Sequence, residues 1–227
     1  MTMTSRPPGQ IRRSAAAARR AAASGSGPVL GETSARFPGA QSRFGLLGEV
    51  LTVGILVTVA SLPLVTLPAA LAAGTAHLRR FLRAEEASLA TSFADFTRAL
   101  AGGVVVGIAT IALTLVLLLD IDLANSGALP GGPLVGMVGW LGLAGVGLAL
   151  FTSAGLWTPA AGWWGALTAL PAAVRSDPAG AGYTIVTGVF AVVVTWQLAP
   201  LVVPALGCIV LAIVAIPERP RRGDREA

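Results

Sequence analysis

Between Leu46 and Leu78 the chain carries one acidic residue, Glu49, no basic residue other than His77, and two prolines, Pro63 and Pro68. A stretch this apolar is at home only in lipid. A spanning helix needs about 20 apolar residues, so the run from 44 to 78 is too long for one span and just long enough for two. Proline supplies the break, because it lacks the N–H of a helical hydrogen bond and its ring clashes with the preceding turn. It also pushes the residue before it towards extended geometry. The sequence Pro63-Leu64-Val65-Thr66-Leu67-Pro68 therefore predicts a turn between two apolar helices, with the Thr66 hydroxyl serving backbone groups that the break leaves open. Arg79, Arg80 and Arg83 follow at once.

Composition agrees with a lipid environment. The chain is 54% hydrophobic and 12% charged, against about 25% charged in soluble domains, and its mean hydropathy is +0.76. One cysteine, Cys208, rules out an internal disulfide, and one histidine, His77, rules out a histidine-based metal cluster. No nucleophile is accompanied by a base within a span, which argues against an enzyme and against a bound cofactor. The net charge of +5 comes from arginines alone, lysine being absent. These arginines flank apolar runs, as they do on the cytoplasmic side of membrane proteins, and this argues against nucleic acid as the partner. The excess of Ala, Gly and Val suggests a GC-rich bacterial genome.

Taken in order, residues 1–42 are rich in Ala, Ser, Gly, Pro and Arg and cannot build a core, which predicts a disordered cytosolic tail; an arginine-rich, acid-poor leader also resembles an organelle transit peptide. Residues 43–217 form the predicted transmembrane domain and 218–227 a second cytosolic tail. Between 79 and 98 apolar and charged residues mix irregularly, predicting an interfacial segment on the cytoplasmic surface, with Ser92 and Asp95 capping the next helix. A third span is expected over 99–119, with Gly103 and Gly107 admitting a close neighbour. Asp120, Asp122 and Asn125 mark an external loop. A fourth span over 133–156 carries Gly136, Gly139, Gly142 and Gly145 at spacing three. Trp157, Trp163 and Trp164 are expected at the lipid–water boundary. Residues 163–174 predict an interfacial helix, a re-entrant turn being the rival reading. Asp177-Pro178 is a helix-start signal. Residues 179–216 repeat the pattern of the first stretch, two short spans around Pro200-Leu201-Val202-Val203-Pro204.

The expected architecture is thus all-α: a polytopic helical bundle in the cell membrane with six transmembrane helices, proline-bracketed hairpins and both termini in the cytoplasm. Six spans place every arginine-bearing loop on one side and the Asp120 loop on the other.

The segment Ser61-Leu62-Pro63-Leu64-Val65-Thr66-Leu67-Pro68-Ala69-Ala70, then Arg79-Arg80, Glu85-Glu86 and Asp95-Phe96-x-Arg98-Ala99, resembles the YesL family of bacterial membrane proteins. Members of that family commonly have a glycine before the second proline of the turn, where this chain has Leu67. The motif residues carried over are Pro63, Thr66, Pro68, Ala69, Glu85, Glu86, Asp95, Phe96 and Arg98, with structural roles and no accepted catalysis. The resemblance implies an association with carbohydrate uptake. It leaves two expectations: an accessory component docked on a sugar transporter's membrane subunit, or a permease for a small neutral solute such as a sugar.

Overall fold

The computed structural model describes residues 43–127 and 130–219; the expected tails at 1–42 and 220–227 lie outside them. Among the described residues the chain is helical throughout. We number α1 Arg43–Ala60, α2 Leu67–Leu82, α3 Leu89–Asn125, α4 Gly132–Leu156, α5 Gly162–Ser176, α6 Pro178–Gln197 and α7 Val202–Glu218. Four segments are long and apolar enough to cross a membrane: α3, α4, α6, and α7 with the short 3-10 turn before it; α1 is a shorter apolar helix. Their outward faces are apolar and exposed, as at Val105, Leu119, Leu141 and Val192, which is what lipid-facing helices require.

α1 ends at Ala60 and a 3-10 turn occupies Leu64–Thr66. Pro63 starts that turn in an extended conformation, and Pro68 sits in the first turn of α2. The Thr66 hydroxyl lies 2.6 Å from the Ala60 carbonyl and 2.8 Å from that of Pro63, so it occupies acceptors that the break frees. α2 then folds back along α1, since a Cβ on Gly74 would touch Val57 and Val53. The turn lies against α3 at Gly107, whose added Cβ would be 2.0 Å from the Val65 carbonyl oxygen.

α3 is 37 residues long, about 55 Å at 1.5 Å per residue, and so outreaches a hydrocarbon core of about 30 Å. This corrects three expectations. Residues 89–98 are not a separate interfacial segment but the first turns of α3, because nothing between Leu89 and Asn125 breaks a helix. The cap is Ser88, whose side chain accepts from the Thr91 N–H at 3.2 Å; Ser92 and Asp95 lie inside the helix. Asp120 and Asp122 also belong to α3, and the link to α4 begins after Asn125.

On α4, Gly139 and Gly142 face Ile121 and Leu117, whereas Gly145 has nothing near its added Cβ. A spacing of three on a helix of 3.6 residues per turn rotates by about 60° per step, so the glycine stripe winds off the α3 contact. α5 holds Pro171 within 15 residues. The tryptophans are corrected too. Trp157 and Trp163 are buried, with Ala69, Ala72, Ala99 and Ala166, and the Trp163 indole N–H donates to the Ala99 carbonyl at 2.8 Å. Small residues on α2 and α3 leave a slot that the indole fills. Only Trp164 of the three is exposed.

Candidate functional site

α1, α2 and α3 meet at the arginine-bearing end of the bundle in a layer of polar side chains. Glu49 lies near the start of α1, His77 near the end of α2 and Ser92 one turn into α3. The three converge because α2 runs back beside α1 and α3 returns beside α2. His77 is 2% exposed. Its Nε2 contacts Glu49 Oε1, and its Nδ1 is 2.6 Å from Ser92 Oγ, which also lies 3.1 Å from the Ser88 carbonyl. Nε2 faces a carboxylate and so carries a proton. In the neutral ring Nδ1 then accepts from the Ser92 hydroxyl. The order of carboxylate, imidazole and hydroxyl is that of a nucleophilic relay, but Ser92 is buried. A clasp between three helices is what this geometry supports.

One turn further along, Asp95 is 4% exposed and pairs with Arg80 at 2.7 Å and with Arg98 at 3.5 Å. The Arg80 contact is short but poorly aligned for a hydrogen bond, since Arg80 Nε and NH2 and Asp95 Oδ2 have no hydrogen-bond partner among the described residues. Arg98 is exposed and contributes little. Of the other motif residues, Phe96 packs against the buried tryptophan cluster, Ala69 and Pro68 are buried in α2, and Pro63, Glu85 and Glu86 are exposed. The motif therefore divides into a turn and a layer at the arginine-bearing end, with Asp95 the one motif residue among the described residues that is itself buried in an ion pair.

A second polar cluster lies where α6 begins and α7 ends. Asp177 accepts from the Gly180 N–H at 2.9 Å and pairs with Arg219. Arg219 also donates to the Ile216 carbonyl at 2.9 Å and stacks 5.2 Å over the Tyr183 ring. Beside it opens a cleft of about 210 Å³, walled by Phe151, Thr152 and Gly155 of α4, by Ile213 and Ile216 of α7, and by Arg79 in the last turn of α2. Burial lowers the Arg79 pKa from its ordinary value; Arg83 lowers it further and Glu218 opposes both.

Sequence reasoning missed His77, Glu49 and Arg79. A lone histidine makes no metal cluster, and a single glutamate in an apolar run does not name its partner. The available signal was an ionisable residue within an apolar helix, which requires a partner. Among the described residues no three His, Cys, Asp or Glu side chains are grouped to hold a metal ion. No protein-family model matches the chain, and neither a curated protein nor a solved structure matches it.

Proposed function

We propose that this protein is a membrane-embedded accessory component, lodged in the cell membrane with both termini cytosolic, that docks on the membrane subunit of a carbohydrate-uptake system. The supporting observation is the placement of charge. Glu49, His77, Arg80, Asp95 and Arg98, the ionisable groups that α1, α2 and α3 bring together, sit in one layer at the arginine-rich end, whereas a coupled transporter needs such groups near the midplane. Along the helices Thr52, Thr58, Thr75, Thr184 and Thr187 turn their hydroxyls back onto carbonyls four residues earlier. They line no common path. The carbohydrate link rests on the resemblance to the YesL family alone.

The expected six spans become, in this reading, six membrane-embedded helices: α1, α2, α3, α4, α6 and α7. Each proline turn returns the chain to the side from which it came. The α1–α2 turn meets α3 at Gly107, about 14 Å along the helix from Arg98 and about 20 Å from Asp120. Its exposed Leu62 and Leu64 suit lipid better than water. We therefore read α1–α2 as a re-entrant hairpin that turns back at half depth, leaving four helices to cross.

Single cysteines in a Cys208→Ser background test this. An impermeant maleimide should label Asn125→Cys from outside and Glu86→Cys from inside, and should not reach Leu64→Cys from either side. External labelling at Leu64 overturns the re-entrant reading. Labelling of Asn125→Cys from inside overturns the orientation. For function, protein purified into sugar-loaded liposomes should leak no faster than protein-free liposomes and should co-purify with a sugar-transporter membrane subunit from native membranes. Sugar efflux through the protein alone would favour the permease.

A further inference from the structure

The cleft between α4 and α7 combines two features. Its walls are mainly apolar, from Phe151, Ile213 and Ile216, and among the described residues Arg79 is the one cation that lines it, with Asp177 and Ser176 at its edge. Two neighbouring cations are engaged, Arg80 with Asp95 and Arg219 with Asp177 and the Ile216 carbonyl, while Glu218 at the end of α7 acts on Arg79. The Arg79 side chain makes no hydrogen bond among the described residues, although its NH2 approaches to 3.9 Å from where a Cβ on Gly155 would stand. Thr152 lies three residues earlier on the same face of α4 and also lines the cleft. Unlike Thr184 across from it, which is bonded to the Gly180 carbonyl, Thr152 makes no side-chain hydrogen bond among the described residues. A guanidinium held half-buried among apolar walls, with a hydroxyl beside it, is complementary to an anion that carries hydrocarbon. The cleft opens at the arginine-bearing end, where the headgroups of the cytosolic leaflet lie in the orientation read above.

We propose that this cleft binds the phosphate of an anionic phospholipid from the cytosolic leaflet, with Arg79 pairing with the phosphate, Thr152 donating to it, and the acyl chains lying along the apolar surfaces of α4 and α7. The proposal rests on the cytosolic assignment of the arginine-bearing end. A volume of about 210 Å³ admits a headgroup phosphate and the first carbons below it, not a whole lipid, so the chains remain in the bilayer. Asp177 does not oppose the anion, because its carboxylate is already held by Arg219 and by the Gly180 N–H.

The test is native mass spectrometry of the full chain taken from nanodiscs of phosphatidylglycerol mixed with phosphatidylcholine, together with the thermal shift on adding phosphatidylglycerol to protein in detergent. Wild type should retain phosphatidylglycerol in preference to phosphatidylcholine. Arg79→Gln should lower that retention about fivefold, the effect of one arginine near an anionic surface, and abolish the thermal shift. Arg83→Gln, outside the cleft, should change neither. Thr152→Val leaves the charge and volume in place and should weaken retention without altering the melting temperature in plain detergent, so a fold defect in Arg79→Gln would not mask the result. Equal retention of phosphatidylglycerol by wild type, Arg79→Gln and Thr152→Val overturns the proposal. Displacement of the lipid by millimolar inorganic phosphate shows a free-anion site and overturns the lipid assignment. Arg79-dependent retention together with Asn125→Cys labelled from inside would leave the site in place and overturn its assignment to the cytosolic leaflet.

Discussion

Ala84 has φ 54°, a left-handed conformation that costs an L-residue with a Cβ about 1–2 kcal/mol. The reason lies in how α2 ends. The Ala84 N–H donates to the Phe81 carbonyl and the Glu85 N–H to the Arg80 carbonyl, the paired bonds of a Schellman ending, whose left-handed position is ordinarily glycine. Ala84→Gly should raise the melting temperature in detergent, for a gain of about 1 kcal/mol; an unchanged or lower value would show that the link after α2 is held by something other than this cap. His77 makes the opposite case. Removing its ring leaves the Ser92 hydroxyl and the Glu49 carboxylate without their shared partner, and His77→Ala should cost about 1–3 kcal/mol. A melting temperature equal to wild type would mean that water replaces the ring. The two residues also differ in legibility. His77 was visible in the sequence as an ionisable side chain on an apolar helix, but Glu49 lies 28 residues earlier, and pairing across that distance is a property of helix packing. Ala84 could not be read at all, since alanine carries no turn signal.

The element boundaries that sequence reasoning found are those marked by local covalent chemistry. Pro63 and Pro68 bracket the first break, and Asp177 with Pro178 opens α6, Asp177 accepting from the Gly180 N–H. Those it missed had two local solutions. Ser92 with Asp95 fits a cap as well as Ser88 does, and a buried Trp163 and a boundary Trp164 look alike until α2 and α3 present the alanines and glycines that admit one indole. Close contact gives two predictions. A Cβ at Gly107 would stand 2.0 Å from the Val65 carbonyl oxygen, and backbone cannot swing aside as a side chain does; at Gly145 nothing lies within 4 Å. Gly107→Ala should therefore destabilise by about 1–3 kcal/mol, while Gly145→Ala should be neutral or stabilising by up to about 1 kcal/mol. Parallel unfolding of the two variants measures the difference, and equal stability would mean that the turn does not rest on α3. At the start of α6 a Cβ on Gly180 would meet Asp177 Oδ2 and Arg219 NH1, at 2.3 and 2.7 Å, whereas Gly182 is open. Gly180→Ala should loosen the α6–α7 clasp and lose about 1 kcal/mol of capping, with Gly182→Ala as the neutral control.

At the scale of the whole molecule the helices pack as a lipid-facing bundle with, among the described residues, its ion pairs gathered at one end. The glycines carry the packing: Gly54 of α1 faces the Val203 carbonyl, and Gly207 of α7 faces that of Val50, so α1 and α7 approach backbone to backbone as membrane helices with small residues do. Composition and arginine placement made the class and the charged end readable from the sequence, but not the depth of the turns, because a run of apolar residues has the same hydropathy whether it crosses or turns back. That depth matters during synthesis. In the re-entrant reading proposed above, with the Pro63–Pro68 turn against the middle of α3, no residue of α1, the turn or α2 is carried to the far side of the bilayer. The first polar segment to make that passage is the one around Asp120 and Asp122. Insertion of α1 and α2 should then proceed without a translocation step, and the orientation of the chain should be decided only when α3 emerges, after Arg79, Arg80 and Arg83 have been retained behind it.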